Sequence, residues 1–165
     1  MKTTLDMLVH ALREELQHYG ELLARLDEEQ ECVLRRAPDD LLSAVDAIQE
    51  QSDAVQGARS YREDCRKQLV TELGLPLNSN FSQLVQILPR DYRPLISALM
   101  DENNALLRRV QQRARQNHLL LARSLELMQS FLGTMFQVGH GSTDDQTGGS
   151  NRLKAPSHAL YEAVG

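Results

Sequence analysis

From Thr3 to about Arg36, apolar residues recur at alternating steps of four and three: Leu5, Val9, Leu12, Leu16, Tyr19, Leu23, Leu26 and Val33, with one gap at Gln30. That spacing lays a stripe along one face and predicts a long first helix with a heptad seam. Thr3, followed three residues later by Asp6, predicts a side-chain cap at its start; Arg35 and Arg36 stand where the carbonyl end of a helix favours cations. Pro38 breaks the pattern, and Asp39 or Asp40 is the predicted cap of a second helix running to about Leu73. Its seam, Leu41, Val45, Ile48, Ser52, Val55, Arg59, Arg62 and Leu69, is apolar at first and then diluted by polar residues. Gly74 and Pro76 close it. So short a link between two long helices predicts an antiparallel hairpin.

Residues 75 to 90 are irregular, with Asn80 or Ser82 placed to cap a short crossover helix carrying Phe81, Leu84, Ile87 and Leu88. A third long helix is predicted from about Asp91 to Phe136, with Pro94 tolerated in its first turn. It carries Ile96, Leu99, Leu106, Val110, Leu120, Leu127 and Phe131, and beside them a second stripe, Met100, Leu107, Ala114, Leu121, Met128 and Met135. Asn103, Arg113, Asn117 and Ser124 interrupt the seam, as polar residues do where they fix register or face water. At 1.5 Å per residue this helix spans roughly 70 Å against about 50 Å for the hairpin. Its far end must then overhang, exposing Leu121, Leu125, Met128, Phe131, Leu132, Met135 and Phe136, a Met- and Phe-rich surface suited to another amphipathic helix.

Residues 137–159 are rich in Gly, Ser, Asp and Thr without apolar periodicity, which predicts a flexible linker before the terminal Leu160-Tyr161-Glu162-Ala163-Val164-Gly165. Composition agrees with helices: among 165 residues there are 28 Leu and 14 Gln against 4 Tyr and 3 Phe, too few β-formers for a sheet protein. The expected fold is an all-α, elongated antiparallel bundle of three long helices with a short crossover helix, residues 1–136, followed by a flexible C-terminal segment, 137–165.

A net charge of -5 opposes attraction to phosphate backbones, so nucleic acid is not an expected partner. Arg108, Arg109, Arg113, Arg115 and Arg123 make the third helix net basic beside two acidic ones, which predicts charge complementarity across the bundle. No apolar run is long enough to cross a bilayer, and acids interrupt the N-terminal stretch where a signal peptide needs an apolar core; the expected location is cytoplasmic. Cys32 and Cys65 lack metal-ligand spacing and read as reduced thiols. His10, Glu14 and His18 share one helix face, a pattern that describes a solvated surface better than a metal site. With no convergent polar site, neither an enzyme nor a cofactor is expected.

The chain resembles the FlgN family of flagellar type III export chaperones over essentially its whole length. The resemblance rests on LLARLDEEQECVL, a short break and DLLSAVDAIQEQSDAV; on RARQNHLLLARSLELMQSFL with Asn117; and on the terminal Leu160-Tyr161 followed by Gly165. It implies a non-enzymatic chaperone that binds the helical ends of hook-filament junction proteins and presents them to the export gate. It places Asn117 in the cargo-holding region and makes Tyr161 the docking residue for the gate's cytoplasmic domain. A self-assembling structural coiled coil or adaptor is the rival that the same heptads would serve.

Overall fold

The structure, a computed structural model, describes residues 1–139. Four helices follow one another: α1 (Lys2–Arg35), α2 (Pro38–Glu72), the short α3 (Phe81–Ile87) and α4 (Arg93–Gly139). The three long helices pack together as the periodicity predicts, and α4 runs three residues further than expected.

Each boundary has a local cause. Arg36 enters the left-handed region at φ 54, and the amides of Arg36 and Ala37 close the carbonyls of Val33 and Cys32. Pro38 then opens α2 at a position whose missing amide hydrogen has no intrahelical partner anyway. Two predicted caps do not form. The cap position of α1 is Met1, without a side-chain bond, and that of α2 is Ala37. Asp39 and Asp40 instead occupy the first turn of α2, where carboxylates favour the amide end of the helix. The start of α1 is tied down by tertiary bonds: Thr4 Oγ1 donates to Glu72 Oε1 at 2.6 Å, and the terminal amine pairs with Glu72 at 3.1 Å. Gly74, at φ +66, ends α2, and Asn80 caps α3 in a reciprocal box with Gln83.

The buried residues of α1 include Leu5, Leu8, Leu12, Glu15, Tyr19, Leu22, Leu26 and Glu29. This unbroken heptad series keeps Leu5, Leu12, Tyr19 and Leu26 of the predicted seam, puts Leu8, Glu15, Leu22 and Glu29 at the alternate positions, and so contains two carboxylates. The shift follows from the position of α1, which packs against α2 on one side and α4 on the other. Three contacts give the direction of α4: Tyr92 to Asp6, Asn103 to Leu12 and Asn117 to Leu26. Numbers rise together on both helices, so α4 runs parallel to α1, and α2 runs antiparallel to α1 on its other side.

Two core regions result. At the base, Leu5, Leu8 and Leu12 of α1 meet Cys65, Leu69 and Val70 of α2, Leu84 and Leu88 around α3, and Ile96 and Leu99 of α4. Higher up, Tyr19, Leu22 and Leu26 meet Ile48, Val55 and Val110.

Candidate functional site

Polar pairs sit along the seam where heptad logic expects leucine. Glu15, only 1% exposed, accepts from Arg62 Nη1 at 3.1 Å on both oxygens and from the Tyr19 hydroxyl at 3.1 Å. The Arg62 guanidinium also lies over the Phe81 ring, 5.9 Å from its centre. Burial, then the Glu15 charge, pushes the Tyr19 hydroxyl up to about 12, so it remains a donor at any physiological pH.

On the α4 side, Asn103 Nδ2 donates to the carbonyls of Leu12 and Leu99, both at 2.9 Å. Two heptads on, Asn117 Nδ2 donates to the Leu26 carbonyl and to Glu29 Oε2, both at 2.7 Å. The two acceptors on α1 are likewise two heptads apart, so these amides clamp α4 to α1 at one spacing. Burial raises the Glu29 carboxyl above its ordinary value, and the Asn117 bond opposes that shift. Arg113 completes this level with an ion pair to Asp27 at 3.0 Å and a bond to the Gln30 side chain.

Above that level the cover ends. Asn117 is fully buried, Leu120 and Leu121 are half-buried, and residues 122–136 are exposed. Extending the Leu26–Asn117 level along both helices puts the last residue of α1 beside Glu126, so α4 projects roughly 20 Å past the hairpin. The projection carries Leu125, Leu127, Met128, Phe131, Leu132, Met135 and Phe136, with Phe131 63% and Phe136 70% exposed. Leu119 on α4 and Leu34 and Leu42 beside the hairpin turn are exposed as well. Exposed apolar patches rimmed by polar residues are a general mark of interaction surfaces.

The structure thus brings Leu121, Leu125, Met128, Phe131, Leu132, Met135 and Phe136 together on one projecting helix and separates Asn117 from them. That amide is occupied inside the α1–α4 seam. Tyr161 and the linker expected over 137–159 lie outside the described residues, apart from the helical backbone of 137–139. Asn103 takes the register-fixing place its interruption of the seam suggested, whereas Glu15 and Glu29 were not singled out by the sequence pattern. A charged residue at a seam position, with an Arg or Asn at a seam position of a neighbouring helix, was the available signal.

Among the described residues, side-chain charge pairs across the bundle are Arg113–Asp27 and Arg62–Glu15, beside the terminal amine with Glu72; Arg123 turns to Glu126 on its own helix. His10 pairs with Glu14 at 3.3 Å, while His18 is engaged by Gln51 of α2. Among the described residues no group of three His, Cys, Asp or Glu is placed to hold a metal ion. A shallow groove on α2, lined by Gln56, Arg59, Arg62, Glu63 and Lys67, is polar and distant from the projecting end. No described helix is long and apolar enough to cross a membrane.

A family model described as FlgN protein matches residues 1–149. No curated protein and no solved structure matches the chain.

Proposed function

This chain belongs to the FlgN family of flagellar export chaperones, and we propose that it uses the projecting end of α4 to hold the amphipathic helical ends of hook-filament junction proteins. The observation that carries the reading is the apolar series from half-buried Leu121 to exposed Phe136, which continues past the point where α1 and α2 stop. An amphipathic helix laid there removes exposed Leu, Met and Phe side chains from water at about 25 cal/mol per Å² of apolar surface. Asn117 acts one step back: by fixing α4 on α1 it sets where the projecting face begins, and its own amide does not reach the cargo.

In this reading residues 1–136 form the cargo-holding domain, and 137–165 carry Leu160-Tyr161 to the cytoplasmic domain of the export gate. The protein works in the cytoplasm, without a cofactor and without catalysis. Family membership supports chaperone action in flagellum biogenesis, and the exposed face supports helix capture as its means.

Calorimetric titration of the purified chain with a junction protein, and separately with the gate's cytoplasmic domain, tests both halves. Tyr161→Ala is expected to leave junction-protein affinity within about twofold, under roughly 0.4 kcal/mol, and to weaken gate binding. A large loss of cargo affinity with gate binding intact would reassign Tyr161 to the cargo face. A concentration-dependent oligomer that buries Phe131 and excludes junction protein would replace the chaperone reading by self-assembly.

A further inference from the structure

The projecting face continues the stripe with which α4 grips α1. Leu121, Met128 and Met135 lie four, eleven and eighteen residues after Asn117 and hold the same heptad frame. What ends near Arg35 is α1, while the stripe on α4 goes on. A helix seated on that stripe therefore lies along the line that α1 leaves.

The two stretches of the stripe differ in one recurrent position. Asn103 and Asn117 are two heptads apart, and each donates to a carbonyl of α1. An amide must find its acceptor within about 3 Å, so a helix held by one cannot slide by a fraction of a turn without leaving a buried donor unpaired. The bond from Asn117 to Glu29, a side chain found at one place only, excludes whole-turn slides too. A single buried Asn in a heptad seam is known to fix register in this manner. One heptad after Asn117 stands the exposed Ser124, as Val110 stands between the two asparagines; the next two-heptad step is Phe131, whose neighbours along the stripe are Met128 and Met135. None of the three makes a directional bond, and Met side chains refit to different partners.

We propose that Phe131 occupies the place of a register-fixing asparagine, so that the end of α4 accepts one amphipathic helix of about two heptads, on the line of α1, in more than one register. The occupant is a helix with an apolar heptad stripe and no required polar residue at a set position. The inference rests on the docking reading above and adds to it the freedom of register and the residue that grants it.

The test uses the full-length protein and a synthetic 18-residue leucine-heptad peptide carrying one benzophenone at its midpoint. Photo-crosslinked positions are mapped by mass spectrometry. With the unaltered protein, crosslinks are expected at two or more positions between Leu121 and Phe136, separated by whole or half heptads. Phe131→Asn should weaken the peptide roughly tenfold and, with a version of the peptide carrying one seam glutamate in the part that Glu29 plays for Asn117, should collapse the crosslinks to one dominant position, whereas Phe131→Leu should keep the spread with either peptide. Because Phe131 is exposed, circular dichroism should be the same for all three proteins. A single crosslinked position in the unaltered protein, or an undiminished spread in Phe131→Asn with the glutamate-bearing peptide, overturns the register proposal while leaving docking intact. Crosslinks that avoid residues 119–136 altogether overturn docking itself, and the register proposal falls with it.

Discussion

The base of the bundle and the far end of α4 are built from the same kind of sequence, leucine-rich heptads, and meet opposite fates. At the base, Leu8, Leu12, Leu69, Leu84 and Ile96 are almost wholly removed from water because α1, α2, α3 and α4 all converge there. At the far end, Leu125, Met128, Phe131 and Phe136 carry an apolar stripe that no described helix covers. The contrast teaches that hydrophobic patterning states a demand for a partner, and that chain geometry decides whether the partner is internal. Where the neighbour is permanent, the seam also contains polar groups in matched pairs, Glu15 with Arg62 and Glu29 with Asn117. Where it is absent, polar pairs on the stripe disappear. An unmatched amide or carboxylate would have to be buried afresh each time a partner binds, at a cost of about 1–3 kcal/mol apiece.

The most severe way to probe the contrast is Leu12→Ala at the base. It should destabilise by about 2–5 kcal/mol, since Leu12 is fully buried and its neighbours come from several helices that cannot all close the gap. Chemical denaturation measures it, and a loss under about 0.5 kcal/mol would put the base in the same class as the surface. The counterpart on the projecting end, Phe131→Asp, should leave unfolding within about 0.5 kcal/mol of the parent. It should nonetheless remove at least about 2 kcal/mol of junction-protein binding, because the charge meets water in the free protein and an apolar partner in the complex. A mutant that melts well below the parent would make Phe131 part of a core and erase the distinction.

At the boundary between the two regions, Asn117→Ala takes the donor from the buried Glu29 carboxylate and is expected to cost about 1–3 kcal/mol at neutral pH. The smallest effect belongs to Glu29→Gln. The folded-state value of Glu29 is raised by burial, so the native protein holds its proton more tightly than the unfolded chain does. Stability from this group is therefore greatest below the ordinary carboxylate range and falls as pH rises through the raised value. Gln, uncharged throughout, should stabilise the protein by up to about 1 kcal/mol at neutral pH, with the advantage shrinking on acidification. Thermal melts of parent and mutant across that pH range should converge at the acid end; parallel curves would mean that Glu29 reaches water.

Helix number, type and approximate limits were legible in the sequence because they depend on local chemistry: the heptad period, Pro38 and Pro94 at helix starts, Gly74 at a helix end and Asn80 as a cap. The overhang was legible too, since helix length follows from residue count. Two N-terminal caps were misplaced because Thr3, Asp39 and Asp40 compete with other neighbours of the same backbone, and the resemblance to an Asx or Thr cap does not say which wins. The seam of α1 was right at Leu5, Leu12, Tyr19 and Leu26 and misplaced by one residue at the alternate positions, for a different reason. Apolar counting passes over Glu15 and Glu29, whose burial is made tolerable by Arg62 and Asn117, residues 47 and 88 positions away along the chain.

By itself, then, the sequence determined which segments are helical, where they break, and that one of them outruns the others, because each of these is set by residues within a few positions of one another. Only the tertiary structure decided that α4 lies parallel to α1, that Asn117 is a clamp on the Leu26 carbonyl and Glu29, and at which residue the cover over the apolar stripe gives out. Those outcomes depend on which faces of distant helices meet, and the energy of a buried polar pair exists only once both members have been brought within hydrogen-bond distance.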